Sequence, residues 1–547
     1  MPEETSYASI FPGAGASLFG ILASQTARDR DAPLITFLGG GTWTRGEVFD
    51  GAMSTADLLS RLGVGRGDRV CSILGNRIEF IHALFASARL GAVFVPINTA
   101  QKGETLAHMV LSSEPSVIFF EATFRQELET ITREGGISPA LVSTSPECGG
   151  TTALDRAVGP GGASWLVVAG KLRPPEEGGD LTAVNGRDLA AILYTSGTTG
   201  PSKGVMWSHR MGLYNSYISS LVMDYREEDV LFTALPLFHI NALFTSFVAG
   251  LMVGARVVVA ERFSASQFWE QIRDSGATVT SILGSMAHIL LRQPSAPAES
   301  EHKLRLALVI PSVGETQPEF EARFHLKCTE IYGSTDMSLP LGIPHGVTSP
   351  LGSCGIVLPG WECRIVDEEE EEVAGGTSGE LLVRPALPWI GQMGYWKMPE
   401  ATLEAWQNLW FHTGDRMRRD GNGWHYYMGR LKDSIRRTGE NVSAFEVERC
   451  VLRFPGVGDA AVFGVPSDLG EEDVAVVIVP AEGASLILED LRRYLEERLP
   501  FFAVPRYFGQ RSDLPRTTTE KVRKDLLAAG EAFGDLVDLG RLRSSRS

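Results

Sequence analysis

One short stretch of the chain concentrates side chains that can bind phosphate. Residues 194–209 read YTSGTTGPSKGVMWSH, with three threonines, three serines, three glycines and one lysine, and an apolar run at 189–193 precedes them. Glycine lets a backbone approach an anion closely, hydroxyls donate hydrogen bonds, and lysine supplies a cation. The sequence therefore predicts a strand that leads into a phosphate-binding loop, with a plain flexible loop as the alternative.

The lysine spacing excludes the common P-loop. In that motif the lysine directly follows a glycine and precedes serine or threonine. Here Lys203 follows Ser202 and precedes Gly204. A P-loop NTPase is therefore not expected.

Two further clusters contain side chains suited to a nucleotide. The segment YGSTD at 332–336 offers an aromatic face for a purine, hydroxyls for a phosphate and a carboxylate for Mg²⁺. The segment WFHTGD at 410–415 offers a carboxylate, Asp415, for two ribose hydroxyls. Ordinary turns are the alternative interpretation of both.

Two basic clusters lie nearer the C-terminus. The segment GRLKDSIRRTGEN at 429–441 concentrates cations where the composition changes, which is typical of a hinge or an anion site. The segment LPRTTTEKVRK at 514–524 presents Lys521 after a threonine-rich run. A solvated basic surface and a solubilising tail are the respective alternatives.

Composition limits the class of protein. The 547 residues exceed what one core supports, so two or more domains are expected. A net charge of −17 argues against nucleic-acid or anionic-membrane partners. The sequence lacks an apolar run of the ~18 residues that span a bilayer, and its first residues, MPEETSYASIF, do not resemble a signal peptide. None of the six cysteines forms a C-x-x-C pair, which argues against a zinc site, and the sequence predicts a cytoplasmic protein.

The elements that must position these clusters alternate between short apolar strands and helices. This pattern runs through 69–120 and 230–332 and predicts an α/β fold with parallel-rich βα sheets, whose strand ends bind ligands. Residues 43–62 predict a helix with Thr44 as its N-cap. Residues 350–384 predict a β-rich subdomain, and the chain beyond 430 predicts a small α+β domain.

Taken together, the clusters resemble a known family. YTSGTTGPSKG, YGSTD, WFHTGD, GRLKDSIRRTGENVSAFEVE and PRTTTEKVRK occur in the order and approximate spacing of the adenylate-forming acyl-CoA synthetase superfamily. The resemblance extends from about Trp43 to Leu526, and RRTGENVSAFEVE and TEKVRK are most similar to the carnitine/crotonobetaine-CoA ligase-like branch. It implies an N-terminal adenylation domain over 1–430 and a mobile C-terminal domain over 431–547.

The resemblance implies an ATP-dependent, AMP-forming carboxylate–CoA ligase. A carboxylate attacks the α-phosphate of ATP with Mg²⁺ present, and coenzyme A then displaces AMP from the acyl adenylate. The implied catalytic residues are Lys521, Thr335 and Asp336, with Asp336 also holding the metal. The implied nucleotide and coenzyme A residues are Thr195, Ser196, Gly197, Thr198, Thr199, Gly200, Lys203, Tyr332, Gly333, Asp415, Arg430, Lys432 and Gly439. The implied acyl pocket contains His239, Ser285, Gly314 and Gly333.

Two positions depart from the family pattern. Asp336 stands where the family usually has glutamate, so its carboxylate is one methylene shorter. Glu520 replaces a common glycine beside Lys521 and adds a negative charge.

Several alternatives remain open at this stage. In one alternative, the adenylate is transferred to a carrier protein or an amine. In another, the acid that the enzyme activates is nitrite, for diazotisation. A catalytically inactive binding protein is a third reading, against which Lys203, Asp415 and Lys521 together argue. The oligomeric state is also open, with a homodimer as one option.

Overall fold

The computed structural model describes most of the chain. The described residues are 17–144, 156–158, 164–169, 184–195, 202–431, 434–437, 440–467, 472–499, 501, 503–517, 522–528 and 535–540. No helix within these stretches has the length and apolar character needed to cross a bilayer.

The chain divides into two compact units, which are described separately. The large unit comprises Met1–Cys363 and Val383–Phe411, and the small unit comprises Arg364–Leu382 and His412–Ser547. The expected boundary between residues 430 and 431 stays a prediction.

The first part of the large unit alternates strands and helices. Its elements are α1 (Leu18–Arg28), β1 (Pro33–Phe37), β2 (Gly41–Thr44), α2 (Arg45–Arg61), β3 (Arg69–Ile73), α3 (Ile78–Leu90), β4 (Val93–Pro96), α4 (Gly103–Ser113), β5 (Pro115–Phe120), α5 (Arg125–Glu134), β6 (Ala140–Ser143), β7 (Arg156–Val158), β8 (Ser164–Ala169), β9 (Leu189–Thr195), β10 (Lys203–Ser208) and α6 (His209–Val222).

The alternation continues to residue 357. The elements are β11 (Val230–Thr233), a π-helix (Asn241–Val248), α7 (Ala249–Val253), β12 (Arg256–Val259), α8 (Phe268–Ser275), β13 (Val279–Leu283), α9 (Gly284–Arg292), β14 (Leu306–Ile310), α10 (Gln317–Phe324), β15 (Lys327–Thr329), β16 (Ile331–Ser334), β17 (Ser338–Gly342) and β18 (Ile356–Val357).

Two parallel-rich sheets form the framework of the large unit. One has the order β15-β14-β13-β11-β12-β1-β2, and the other has the order β10-β9-β4-β3-β5-β6-β8-β7. Apolar side chains of β3, β4 and β5, including Ile73 and Val95, pack against α4 and α5, which contribute Leu106 among others. The α/β prediction is confirmed, because consecutive strands are joined through helices, as parallel pairing requires.

The next part of the chain is rich in strands, as predicted. It contains β19 (Trp361–Val366), β20 (Ser378–Pro385), α11 (Pro399–Ala405), β21 (Trp406–Gln407), β22 (Trp410–Arg419) and β23 (His425–Arg430).

The remaining elements belong to the small unit. They are β24 (Ser434–Arg437), β25 (Glu440–Ser443), α12 (Ala444–Leu452), β26 (Val457–Pro466), β27 (Glu472–Pro480), α13 (Leu488–Glu496), β28 (Tyr507–Gln510), α14 (Lys524–Ala528) and β29 (Val537–Asp538). Strands β26 to β29 form one sheet in that order, and its two faces carry separate apolar clusters, around Val476 and Leu491 on one side and around Phe463 and Leu527 on the other. The predicted α+β fold is confirmed, and its mobility stays a prediction.

The start of α2 confirms a local prediction. The Thr44 Oγ1 accepts a hydrogen bond from the Glu47 backbone N–H at 3.2 Å, and the Thr44 N–H donates to Glu47 Oε2 at 2.8 Å. This reciprocal pair satisfies two backbone groups that a helix start leaves unpaired.

The contact between α2 and α3 depends on a glycine. A Cβ atom at Gly51 would lie 2.2 Å from His82 Nε2 and 2.3 Å from its Cε1. His82 is fully buried, and burial lowers the pKa of its imidazole to about 4, so the ring is neutral and packs as an apolar group. The two helices therefore lie closer here than any larger side chain permits.

Replacing Gly51 by alanine should destabilise the protein. The gain of helix propensity, ~1 kcal/mol, is outweighed by the overpacking of a rigid ring, which costs about 1–3 kcal/mol. We expect a lower denaturation midpoint by tryptophan fluorescence, and partial recovery in the double variant Gly51→Ala/His82→Ala. Gly375→Ala is the control, since its Cβ would meet nothing within 4 Å. Equal midpoints for Gly51→Ala and the control would contradict this account.

Candidate active site

The predicted phosphate-binding loop joins two paired strands. Strands β9 and β10 pair antiparallel, so that Thr195 lies opposite Lys203, and Thr195 Oγ1 donates to the Lys203 carbonyl at 3.4 Å. Residues 196–201, with the predicted site residues Ser196, Gly197, Thr198, Thr199 and Gly200, lie outside the described residues. The two strands thus fix both ends of this loop.

Lys203 begins a strand rather than lying within the loop. The sequence interpretation extended the loop through residue 209, but Lys203–Ser208 is β10. Val205 and Trp207 alternate along it and are fully buried, which is the period-two pattern of a strand. The β-branched Val205 and the aromatic Trp207, both residue types enriched in strands, were the signal that could have identified β10.

The free edge of β10 pairs with a later segment of the large unit. The Met206 N–H donates to the Gly394 carbonyl at 3.0 Å, and the Trp396 N–H donates to the Gly204 carbonyl at 2.7 Å. Tyr395 lies between these two bonds and its ring faces Lys203, whose Nζ is 4.8 Å from the ring centroid. A cation at this distance interacts favourably with the aromatic face.

Two aromatic residues of this region, Tyr395 and Trp207, fix Asp336 and Thr335. The Tyr395 hydroxyl donates to Asp336 Oδ1 at 2.6 Å, and the Trp207 indole N–H donates to the Thr335 carbonyl at 2.8 Å. The structure therefore brings Lys203 into the same region as Thr335 and Asp336, which lie 132 and 133 residues further along the chain. A cation, a hydroxyl and a carboxylate are thereby available within one region of the large unit.

Gly333 allows a tight turn beside these residues. A Cβ atom at Gly333 would lie 2.0 Å from the Ser338 carbonyl oxygen, a distance that no larger residue tolerates. Strands β16 and β17 pair antiparallel around this point, with Tyr332 opposite Leu341. The close pairing fixes the backbone that carries Tyr332, Thr335 and Asp336.

The donor set near Asp336 fits Mg²⁺. This ion prefers oxygen ligands and is commonly bound by one or two carboxylates together with substrate phosphates. Asp336 supplies a carboxylate, and the Ser334 hydroxyl accepts a hydrogen bond from its backbone N–H at 3.2 Å. Within the described stretches no group of three or more His, Cys, Asp or Glu residues could hold a metal.

The predicted acyl-pocket residues follow neighbouring strands of one sheet. Strands β11, β13 and β14 are parallel neighbours, and Leu283 at the end of β13 lies opposite Ile310 at the end of β14. His239 follows β11, Ser285 follows β13, and Gly314 follows β14. These positions lie at the carboxyl ends of the strands, where parallel sheets bind ligands.

His239 is held in a neutral form. Its ring packs edge-on against Phe238 with 4.7 Å between ring centroids, and burial lowers the pKa of the imidazole to about 4. Asn76 fixes the preceding turn, because its Oδ1 accepts from the Leu237 N–H at 2.8 Å and its Nδ2 donates to the Leu235 carbonyl at 3.1 Å. A neutral imidazole offers one donor and one acceptor to a polar ligand.

The two predicted ribose residues lie opposite each other in the small unit. Asp415 in β22 pairs with Arg430 in β23, and Arg430 Nε lies 2.8 Å from Asp415 Oδ1. The Asp415 side chain is 4% exposed, whereas that of Arg430 is 44% exposed. The arginine therefore carries its charge towards solvent while it neutralises a buried carboxylate.

A carboxylate on β20 supports Asp415. Glu380 Oε1 accepts from the Gly414 N–H at 2.9 Å, and its Oε2 lies 3.0 Å from His412 Nδ1. Gly414 has φ 66°, a conformation that glycine adopts without strain. The Thr413 hydroxyl accepts from the Asp415 N–H at 3.0 Å, so the turn is fixed on both sides.

Three other predicted residues cannot be placed. Lys432, Gly439 and Lys521 lie outside the described residues, and their roles stay predictions.

Comparison with known proteins decides the family. A family model described as "AMP-binding enzyme" matches residues 22–396, and one described as "AMP-binding enzyme C-terminal domain" matches residues 446–521. This chain belongs to the AMP-binding enzymes. The predicted superfamily and the prediction of an enzyme are both confirmed.

Individual relatives cover most of this AMP-binding enzyme. A crotonobetaine/carnitine–CoA ligase of Salmonella arizonae is 32% identical over 475 residues, 86% of this chain and 90% of that protein. The ATP-bound structure of MatB from Rhodopseudomonas palustris has a TM-score of 0.80 at 27% identity, over 94% of this chain and 98% of that one. The anthranilate CoA ligase AuaEII, in complex with anthranoyl-AMP, has the same fold, with a TM-score of 0.82 at 21% identity over 95% and 98% of the two chains.

The sequence interpretation did not identify three supporting residues of this AMP-binding enzyme. Tyr395 contacts both Lys203 and Asp336, Asn76 fixes the turn before His239, and Glu380 supports Gly414. The available signal for Tyr395 was its place in the sequence between Gly394 and Trp396. The sequence around Asn76 and Glu380 gave no signal of their roles, because their hydrogen-bond partners are distant in sequence.

Replacing Glu380 by glutamine should weaken nucleotide binding. Glutamine keeps one acceptor oxygen but loses the charge that strengthens the bond from Gly414, so the turn that carries Asp415 loosens. Hydrogen bonds to charged groups contribute about 1.5–3 kcal/mol, and partial loss predicts about threefold to tenfold lower affinity for AMP by equilibrium dialysis.

The control for this change is Glu372→Gln. Glu372 forms an ion pair with Arg419 at 2.9 Å in which both side chains are partly exposed, and such pairs contribute little. Equal AMP affinities for the two variants would show that Glu380 does not support the nucleotide site.

Proposed function

We propose that this chain is an ATP-dependent, AMP-forming carboxylate–CoA ligase. The single observation that carries this proposal is the convergence of Lys203, Thr335 and Asp336 on the aromatic residues Trp207 and Tyr395. Attack by a carboxylate on a polyphosphate joins two anions, so it requires fixed positive charge and alignment more than covalent catalysis. The CoA ligases among the relatives agree with this activity.

The proposed roles follow the charge of each side chain. Lys203 and the hydroxyls from Thr195 to Thr199 bind the β- and γ-phosphates, and Thr335 contacts the α-phosphate. Asp336 contributes to binding Mg²⁺, which when bound neutralises phosphate charge. Asp415 and Arg430 bind the ribose, and Tyr332 lines the adenine.

The remaining proposed roles concern the acid and the second substrate. Lys521 bridges the attacking carboxylate and the α-phosphate, Lys432 acts as a hinge, and Gly439 lies along the thiol arm of coenzyme A. His239, Ser285 and Gly314 line the pocket for the acid, with Gly333 at its end. A cytoplasmic location and a homodimer stay predictions.

Pyrophosphate release tests the reaction class. The purified chain is assayed with ATP and Mg²⁺ against a panel of carboxylic acids and nitrite, with and without coenzyme A. We expect release with at least one carboxylic acid, and an acyl-CoA product only when coenzyme A is present. Release with nitrite and with no carboxylic acid would refute the ligase proposal.

Lys521→Ala tests the assignment of the catalytic lysine. Removing a positioned cation from a developing negative charge typically costs about a hundredfold or more in rate, and we expect that loss in adenylation. Thioester formation from a supplied acyl adenylate should be retained. Lys524→Ala is the control. Lys524 lies three residues after Lys521, and its Nζ forms an ion pair with Glu448 Oε1 at 2.8 Å. Equal adenylation rates for the two variants would rule out the role of Lys521.

A further inference from the structure

One buried tyrosine contacts two groups of opposite charge. Tyr395 is 6% exposed, its hydroxyl donates to Asp336 Oδ1 at 2.6 Å, and its ring face lies 4.8 Å from Lys203 Nζ. The two contacts use different parts of the side chain. A change at the hydroxyl can therefore be separated from a change at the ring.

The backbone of Tyr395 is fixed on both sides. It forms a β-bridge with Val205 in β10, and its N–H donates to the Thr402 hydroxyl of α11 at 2.9 Å. Thr402 Oγ1 in turn donates to the Met398 carbonyl at 3.0 Å. Because the backbone is fixed, the hydroxyl has a defined position towards which the Asp336 carboxylate must turn.

We propose that Tyr395 is a positioning residue for metal and phosphate binding. This inference rests on the proposed function, in which Asp336 contributes to binding a divalent cation and Lys203 binds phosphate oxygens. The hydroxyl selects one orientation of the Asp336 carboxylate by a charge-assisted hydrogen bond at Oδ1. A carboxylate held in that orientation would contribute an oxygen to a bound divalent cation.

The ring performs a separate task for Lys203. Lysine has a flexible four-carbon stem, and holding its ammonium at one place costs side-chain entropy. The negative face of the Tyr395 ring attracts the ammonium and so limits its positions before a phosphate arrives. The hydroxyl therefore governs affinity for the metal, and the ring governs affinity for the nucleotide without metal.

Two substitutions separate these tasks. Tyr395→Phe keeps the ring and removes the hydroxyl, whereas Tyr395→Leu removes both. The binding of Mn²⁺ to the full chain with saturating ATP is measured by electron paramagnetic resonance, and ATP affinity is measured separately with the metal chelated. Thermal unfolding of each variant is recorded alongside.

For Tyr395→Phe we expect a half-saturating Mn²⁺ concentration about tenfold higher, as expected from loss of one hydrogen bond to a charged group. Its metal-free ATP affinity should change less than about twofold, because the cation–π contact remains. For Tyr395→Leu we expect the same loss for Mn²⁺ and a further loss of about twofold to tenfold in metal-free ATP affinity.

The control is Tyr426→Phe, which removes another tyrosine–aspartate hydrogen bond. The Tyr426 hydroxyl donates to Asp420 Oδ2 at 3.1 Å in the small unit, so both affinities should match those of the unaltered chain.

Three results would overturn the inference. Unchanged Mn²⁺ affinity in Tyr395→Phe would show that the hydroxyl does not position Asp336. Parallel loss of both affinities in Tyr395→Phe, with a lower unfolding temperature, would show a purely structural role. A failure of the unaltered chain to bind Mn²⁺ with ATP would overturn the proposed function, and this inference with it.

Discussion

Backbone pairing along both edges of β10 is the constraint on which the candidate site depends. One edge pairs with β9 and fixes the ends of the predicted phosphate-binding loop, and the other pairs with Gly394 and Trp396. Side chains alternate along a strand, so Lys203 lies on the same face of β10 as the buried Val205 and Trp207, at the end of the strand next to the loop. Sites held by strands are more precise than sites on loops, because the backbone bonds fix the direction of each side chain.

That pairing also holds Tyr395 where it contacts both Lys203 and Asp336. Lys203 and Asp336 belong to distant parts of the chain, and without a shared partner each would retain its own hydration and rotamer freedom. Tyr395 gives both of them a common neighbour that is itself buried. Groups oriented before the substrate binds need little reorganisation when charge develops, which is the main source of electrostatic catalysis.

The sequence predicted those features that depend on local pattern. The alternation of strands and helices indicated parallel sheets, and Thr44 indicated a helix start, because both signals lie within a few residues. The motifs also indicated Asp415 and Arg430, which the structure places opposite each other in one strand pair. Local pattern was sufficient in each case.

Other features depend on contacts that no local pattern encodes. Tyr395 and Asp336 are 59 residues apart, and Glu380 and Gly414 are 34 apart, so only the folded chain reveals that they meet. The segment after His239 forms a π-helix, Asn241–Val248, in which the Ala249 N–H reaches the Phe244 carbonyl. Such wider turns are frequent at functional sites, and sequence periodicity does not distinguish them from an α-helix over so few residues.

Burial gives Asp415 and Arg430 different parts in the proposed ribose site. The Asp415 carboxylate is buried and acceptor-only, so a ribose with two donating hydroxyls matches it better than an anion does. An isolated buried carboxylate is costly, and the adjacent guanidinium offsets that cost. Because Arg430 remains half exposed, it offsets the cost without being fully desolvated itself, and it donates to the Thr413 carbonyl at 3.1 Å from the same position. One arginine thus neutralises the carboxylate and stabilises the turn that presents it.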